Sequence, residues 1–355
     1  MVNNTKKEQP SYVIRNKVVA EKLNELGHSV YCKTEDTTPL DLDAYDVFVF
    51  NRFYEGSLGL EISALKAMGK IIVYETDDNY FGIDQTHPFH KIKDYAVLSQ
   101  NKLIHLADAI TVSTPELKFK ALERKSDAEV YVVPNALDFT QYRKRKGQNK
   151  KLRIGFQGSN IHSTDLLMVV DAIDQLQKEF DFDFYILGID DKPFSELYKF
   201  CQEYKEQQYQ WVGDFKKLYE KLETMKYTHM PTVSYDEYRE MLRNANLDIG
   251  LIPLHDSEFG RGKSCLKYYE YAAVGTVSIA SKVIPYTEEM DEQDLVKNRH
   301  HKWVGKLRKL IEDEEFRNER LRAQMLWVKT NRDLNKIAKH WEMVFELIIK
   351  NNKKS

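Results

Sequence analysis

The sequence has few cysteines, little net charge and no long apolar run, and each absence excludes a class of protein. Its three cysteines, Cys32, Cys201 and Cys265, are widely spaced and show neither metal-ligand nor redox spacing. A formal net charge of -2 gives no support for a nucleic-acid binder. No apolar run approaches the roughly 18 residues that a membrane-spanning helix needs, and the polar start at 1–10 is no signal peptide. We therefore expect a cytoplasmic protein of a reducing compartment.

What the chain does have is a regular alternation of strand-like and helical segments. This alternation predicts α/β layers with parallel sheets, and 355 residues predict about two domains. In the first half we predict strands at 29–32, 46–50, 70–74, 109–112 and 129–133, and helices at 14–26, 61–68, 96–106 and 115–123. In the second half we predict strands at 152–156, 182–187, near 209–212 and at 247–253, and helices at 165–179, 195–206, 235–245, 304–312, 315–330 and 334–349.

A basic stretch without periodicity, 143–151, divides these two halves and is predicted to be an exposed linker. The predicted organisation is a first Rossmann-like domain at 1–142, the linker, a second Rossmann-like domain at 152–330 and a last helical segment at 331–355. The polar start leaves no obvious opening strand, so the first domain is either abbreviated or lacks an upstream part. In doubly wound domains a ligand binds at the carboxyl ends of the strands, which here face a common cleft.

The most informative segment is 262–275, which reads as a loop, a short helix and a glycine stop. Lys263 and Ser264 fall at the helix start, where free N–H groups and the positive end of the helix dipole favour a phosphate. Lys267 and Glu270 follow at helical spacing. A cationic helix start beside a fixed carboxylate suits a diphosphate joined to a ribose diol. The alternative is that the lysine is solvated and the glutamate lies on a wet helix face.

These residues, taken together with others, resemble the donor-binding signature of GT-B glycosyltransferases, especially family 4 members that build bacterial surface polysaccharides. The resemblance rests on the runs 247–254 and 262–275, on an inter-domain motif at 132–138, and on a second-domain opening at 155–162. First-domain features at 76–78 and 113–114 add to it. It implies two doubly wound domains facing a cleft, with the last helix returning to the first domain.

By position, the resemblance implies a role for each matching residue. Glu270 would bind the donor ribose and Lys263 would face the diphosphate or the sugar. The phosphates would approach the second-domain loop, and the acceptor side of the cleft would be lined from the first domain. The residues concerned are, for the donor, Gly158, Ser159, His162, Ser264 and Lys267 and, for the acceptor, Arg52 and Asp78.

Two departures from the family pattern matter. The family has a second glutamate eight positions before the ribose glutamate, but Gly262 occupies that position. The Arg and Lys that grip the diphosphate at the second-domain opening are absent, and His162, Arg261 and Lys263 are the candidates to replace them.

The resemblance therefore implies transfer of a sugar from a nucleoside diphosphate sugar to a hydroxyl of a glycan, lipid-linked or other acceptor. The reaction is expected to be retaining, with no cofactor and no bound metal, since lysines and N–H groups would stabilise the leaving diphosphate. If it inverts, Asp78, His87 or His90 are candidates for the base. A nucleotide-sugar epimerase and a non-catalytic GT-B-like scaffold or sugar-binding subunit stay open as alternatives, as do peripheral membrane association and a partner subunit.

Overall fold

A computed structural model of the chain describes residues 2–3, 10–32, 41–52, 58–85, 87, 90, 92–145, 147–189 and 210–353. Every strand pair in these residues is parallel, and the strands form two sheets. Helices lie between successive strands, because a parallel pair needs a crossover connection. The α/β prediction with two doubly wound sheets is confirmed.

The first sheet has the strand order β1-β2-β3-β4-β5. Its strands are β1 (Val2–Asn3), β2 (Val47–Asn51), β3 (Ile71–Thr76), β4 (Ala109–Val112) and β5 (Val130–Val132). The helices in this half are α1 (Pro10–Tyr12), a π-helical turn (Val13–Lys17), α2 (Val18–Glu25), α3 (Leu58–Ala67), α4 (Lys93–Leu106) and α5 (Pro115–Arg124). Strands β3 and β4 are buried along their whole length, which explains their continuous apolar runs.

The second sheet has the strand order β11-β10-β9-β6-β7-β8. Its strands are β6 (Leu152–Gln157), β7 (Phe182–Leu187), β8 (Thr228–Met230), β9 (Ile249–Ile252), β10 (Val277–Ser281) and β11 (Leu295–Val296). The helices are α6 (Ser163–Gln177), α7 (Gln210–Thr224), α8 (Tyr235–Ala245), α9 (Glu258–Arg261), α10 (Leu266–Val274), α11 (Tyr286–Glu289), α12 (His300–Glu312), α13 (Glu314–Asn331) and α14 (Leu334–Asn352).

The last helix, α14, packs on the first sheet although the chain has passed through the second sheet before it. Its buried face, which includes Trp341 and Val344, joins a cluster with side chains of α2, β2 and β3. Arg15, in the π-helical turn, lies with its guanidinium 4.9 Å from the Trp341 ring and forms a buried ion pair with Glu75 at 2.7 Å. Burial raises the pKa of Glu75 to about 7 despite the attraction of Arg15.

Two predicted strands are wrong. Residues 28–32 form no strand, because the backbone of Val30 bonds the Asn24 side chain at both its N–H (2.8 Å) and its carbonyl (3.0 Å). Residues 210–212 of the second predicted strand belong to α7 instead, where Trp211, Phe215 and Leu218 bury one helical face. The predicted helix at 195–206 lies outside the described residues.

The structure also contains short strands that the sequence did not signal. Strand β1 pairs with Phe50 and Asn51 of β2, so the expectation that no strand precedes the first helix is wrong. Strands β8 and β11 lie at the two edges of the second sheet. Strands of two or three residues are too short for an alternating apolar pattern to appear in the sequence.

Candidate active site

Helix α10 carries two charged residues of the motif at 262–275 on one face. It begins at Leu266, so Lys263 and Ser264 lie in the turn before the helix rather than inside it. It ends at Gly275, whose φ of +86° is the left-handed conformation that glycine adopts without strain. The helix packs closely on β9. A Cβ atom at Gly250 would lie only 2.7 Å from the Tyr271 ring, so glycine is needed there.

The Glu270 carboxylate is buried and surrounded by hydroxyl donors. Its Oε1 accepts from Tyr235 at 3.0 Å and from Tyr142 at 3.4 Å, and its Oε2 accepts from Tyr238 at 3.1 Å. The amide of Gln157 also donates to Oε2 at 3.5 Å. Burial raises the pKa of Glu270 to about 7, although the three tyrosine hydrogen bonds act in the opposite direction. Glu270 therefore does not lie on a solvent-exposed face of the helix, and the alternative that its side chain is solvated is wrong.

Lys267 places an ammonium one turn from this carboxylate without an ion-pair partner among the described residues. Its Nζ lies 5.2 Å from the centre of the Phe156 ring. Burial lowers the pKa of Lys267 to about 8, and the nearby charge of Lys263 acts in the same direction. The carboxylates of Asp165 and Glu270 attract this ammonium from a distance, but neither forms an ion pair with it, so it can bind a further anion.

His162 lies beside Lys267 at the start of α6. Its Nδ1 is 2.9 Å from an Asp165 carboxylate oxygen, and the other oxygen of Asp165 accepts the backbone N–H of His255 at 3.0 Å. Burial lowers the pKa of His162 to about 4, and the charge of Lys267 lowers it further. The imidazole is therefore neutral at pH 7, with one nitrogen held by Asp165.

Asp78 of the first domain faces the second domain and joins two cations. One of its oxygens is 2.5 Å from Lys263 Nζ and the other is 2.5 Å from an Arg52 guanidinium nitrogen. Burial alone would raise the pKa of Asp78, but these two charges hold it well below its usual range. Asp78 is thus a carboxylate at every physiological pH, held in the cleft by a cation from each side.

Arg52 reaches this position through an unusual backbone conformation at the end of β2. Its φ is +68°, one of two positive values at non-glycine residues in the described part of the chain. The guanidinium also donates to the Tyr80 hydroxyl at 2.9 Å and to Ser11 at 3.4 Å, and Ser11 in turn donates to Asp77 at 2.7 Å. These polar groups form the first-domain wall of the cleft.

Further contacts fasten the segment 258–264 to the strand ends of the first domain. Asn79 donates to the Glu258 carbonyl at 3.1 Å, and Thr114 donates to the Gly262 carbonyl at 3.2 Å. Asn135 donates to the Ser264 hydroxyl at 2.8 Å. The two walls of the cleft therefore touch each other beside Lys263.

Gly262, eight positions before Glu270, lies against the first domain with little room for a side chain. A Cβ there would lie 3.0 Å from Asn79 Cβ and 3.2 Å from Leu117 Cδ2, both in the first domain. The carboxylate absent from the motif is therefore replaced by a close contact between the domains.

Not all predicted residues come together. Arg261 is exposed and pairs with the exposed Asp256 at 2.8 Å. Ser159 is exposed, with its carbonyl bonded to the His162 N–H at 2.9 Å. Gly158 lies under His162, since a Cβ on it would be 2.9 Å from that side chain. That Arg261 replaces a diphosphate-binding cation stays a prediction.

One of the two candidate base histidines lies in the cleft. The ring of His87 lies 4.2 Å from the Phe259 ring, centre to centre. Burial lowers the pKa of His87 to about 4, and the charge of Lys263 lowers it further.

Sequence reasoning missed the groups that surround Glu270. Tyr142, Tyr235, Tyr238 and Gln157 come from an irregular segment, a helix and a strand end that are far apart in the sequence. The chain has 21 tyrosines, so tyrosine alone is no signal. The three-residue spacing of Tyr235 and Tyr238 on one helix face is the one feature that could have indicated a pair.

The residues that the structure describes offer neither a metal site of clustered side chains nor a membrane-spanning helix. No group of three or more His, Cys, Asp or Glu side chains there could hold a metal ion. Within the same residues, no helix combines the length and apolarity that crossing a bilayer requires.

Comparison with known proteins found structural similarity only. No protein-family model and no curated protein sequence matches the chain. A glycosyltransferase from Rickettsia africae superposes with a TM-score of 0.67 at 15% identity, covering 99% of this chain and 98% of that one. Sucrose-phosphate synthase from Thermosynechococcus elongatus gives 0.66 at 12% identity, covering 98% and 81%. HepE from Anabaena, solved with UDP, gives 0.64 at 12% identity, covering 97% and 98%.

These similarities extend over nearly the whole chain, and they establish its fold. The two parallel sheets facing a cleft are the GT-B fold, as the sequence motifs predicted. At identities of 12–15% the similarity carries fold and not activity.

Proposed function

We propose that this protein is a glycosyltransferase that moves a sugar from a nucleoside diphosphate sugar to an acceptor hydroxyl. The observation that carries the proposal is the unpaired ammonium of Lys267, three residues before the buried carboxylate of Glu270 on one helix. A diphosphate would give Lys267 a direct ion-pair partner, and the attached ribose would reach Glu270. Both groups belong to the second domain of a GT-B fold.

The proposed chemistry needs little from the protein besides positive charge. As the bond between sugar C1 and the phosphate oxygen breaks, negative charge grows on the diphosphate, and Lys267 and Lys263 stabilise it. A bond forms between C1 and the acceptor oxygen, whose proton passes to the leaving phosphate. We infer retention of configuration, since this path requires no protein base. Asp78 and Arg52 would contact the acceptor from the first-domain wall.

Lys263 must change partners for this chemistry to occur. In the structure its ammonium neutralises Asp78 at 2.5 Å. A diphosphate, carrying more negative charge than one carboxylate, would attract Lys263 away from Asp78. Asp78 would keep its second cation, Arg52, and gain an oxygen that can accept a hydrogen bond from an acceptor hydroxyl.

Calorimetric titration with UDP, GDP, ADP and CDP tests the donor site, with UDP first because HepE has been solved with UDP-glucose. Glu270→Ala should weaken binding of the preferred diphosphate by about 10- to 100-fold, the value of a hydrogen bond to a charged group. Glu312→Ala, at an exposed position, is the matched control and should change nothing. Failure of all four diphosphates to bind would reject the proposal.

A non-catalytic GT-B-like subunit is the second candidate, and one observation favours it. At Gly262 the first domain fills the space in which the family's other carboxylate would lie. Release of free diphosphate from a nucleotide sugar separates the two candidates. Binding of a diphosphate without any turnover, across UDP-, GDP-, ADP- and CDP-sugars and simple glycan acceptors, would favour the subunit.

A further inference from the structure

The Glu270 carboxylate has no acceptor position left over for a ligand. An ionised carboxylate accepts about four hydrogen bonds, two at each oxygen. Here Oε1 receives Tyr235 and Tyr142, and Oε2 receives Tyr238 and Gln157. A ribose diol can therefore bind Glu270 only by replacing donors of the protein itself.

The four donors fall into two pairs, and each oxygen has one member of each pair. Tyr235 and Tyr238 donate at 3.0 and 3.1 Å, within the normal range for a phenol. Tyr142 and Gln157 donate at 3.4 and 3.5 Å, where a hydrogen bond is weak. One weak donor on each oxygen matches a vicinal diol, whose two hydroxyls can each bond one oxygen.

The two weak donors also lose little by leaving. The Tyr142 hydroxyl lies 3.1 Å from the Tyr235 hydroxyl, so it keeps a hydrogen-bond partner after it releases Glu270. Gln157 is 1% exposed, and its Oε1 has no hydrogen-bond partner among the described residues. Both protons of the diol are used at Glu270, but the released Gln157 amide N–H can donate to the oxygen of the hydroxyl that replaces it.

The two strong donors lie on a firmly held element. Tyr235 and Tyr238 are one turn apart at the start of α8. A capping box between Ser234 and Glu237 stabilises this end of the helix. Tyr142 lies in an irregular segment between the sheets. The geometry therefore makes Tyr142 the donor that moves and the α8 pair the donors that stay.

We propose that a nucleoside diphosphate enters by exchanging its ribose 2′- and 3′-hydroxyls for Tyr142 and Gln157 at Glu270, while Tyr235 and Tyr238 remain as positioning residues. The proposal rests on the donor site proposed above and assigns opposite roles to tyrosines that touch the same carboxylate. Tyr142 competes with the ligand. Tyr235 and Tyr238 keep the carboxylate ionised and oriented for it.

Three phenylalanine variants test this at pH 7.5, between the pKa of about 7 of Glu270 and the pKa of about 8 of Lys267. Tyr142→Phe removes the competitor and should tighten binding of the preferred diphosphate by about 2- to 10-fold, the value of one hydrogen bond. Tyr235→Phe and Tyr238→Phe should each weaken it by about 3- to 10-fold. Tyr131→Phe removes a phenol that bonds Glu129 outside the cleft and is the matched control.

A pH profile separates positioning from a structural effect. Diphosphate affinity in the wild type should fall as Glu270 becomes protonated below about pH 7. Tyr235→Phe and Tyr238→Phe remove hydrogen bonds that favour the ionised form, so the midpoint should move up by about one pH unit. General loosening of the site would lower affinity at every pH without moving the midpoint.

The 2′,3′-dideoxy form of the same diphosphate makes the outcomes distinguishable. It should bind wild type and Tyr142→Phe equally, because it has no hydroxyl to exchange. If wild type binds no diphosphate, the donor site itself fails. If wild type prefers the ribose form but Tyr142→Phe weakens binding as the other two variants do, the exchange is refuted and the donor site stands.

Discussion

Replacing Glu270 by glutamine should stabilise the protein at alkaline pH while weakening its ligand binding. Glutamine has the shape of a protonated glutamate but no charge to bury. Burial raises the pKa of Glu270 from 4.5 to about 7, so the folded state holds this proton more tightly than the unfolded state does. The stability that this proton contributes is fully present below pH 4.5 and is lost as the pH rises through 7.

The size of the effect follows from the same pKa values. A rise from 4.5 to about 7 corresponds to about 3 kcal/mol of unfolding free energy that wild type loses between these pH values. Glu270→Gln has no such proton to lose, so it should equal wild type near pH 4.5 and exceed it by up to about 3 kcal/mol at pH 8. Ligand binding should fall, because a neutral amide accepts fewer hydrogen bonds from a ribose diol.

Urea unfolding of both proteins at a series of pH values measures this difference. Glu75, whose pKa burial also raises to about 7, titrates in both proteins and cancels in the comparison. Glu312→Gln, at an exposed site, should follow wild type at every pH. A Glu270→Gln variant that is less stable than wild type at pH 8 would refute the reasoning. It would mean that the tyrosines stabilise the charge by more than its burial costs.

Three further changes test other parts of the cleft. Lys267→Met should weaken binding of a nucleoside diphosphate by about 10-fold but leave the nucleoside unaffected in calorimetry, and equal losses would contradict a phosphate role. Gly262→Glu should separate the domains, because Asn79 blocks the new side chain; an unchanged radius of gyration in X-ray scattering would count against this. Asp78→Asn should tighten diphosphate binding by about 3-fold or more, since Lys263 is no longer neutralised, and should lower turnover; weaker binding would contradict the exchange of partners.

These predictions share one physical idea about the cleft. Two of its donor-binding groups, Lys263 and Glu270, already have partners within the protein itself, whereas Lys267 has no ion pair. Asp78 provides a negative charge where a phosphate would bind, and tyrosine hydroxyls take the place of ribose hydroxyls. Buried charges are costly without partners, and in this cleft the chain itself supplies them.

The sequence determined much of the fold because its signals are local. Apolar runs such as those of β3 and β9 need only neighbouring residues to be recognised as buried strands. The end of helix α10 at Gly275 could be predicted in the same way, from the glycine itself. The failures were local ambiguities that tertiary contacts resolved: the Asn24 side chain satisfied the backbone at Val30, and α7 used its apolar residues as a helix face.

The sequence also placed Lys263, Lys267 and Glu270 near one another, because they lie within eight positions of a single motif. It could not show that Asp78 reaches Lys263, since 185 positions separate them and only the packing of the two domains brings them to 2.5 Å. Nor could it show that tyrosines fill the acceptor positions of Glu270, or that Gly262 faces the first domain. Local spacing fixed which groups one helix presents, whereas long-range packing decided which charges and hydroxyls those groups meet.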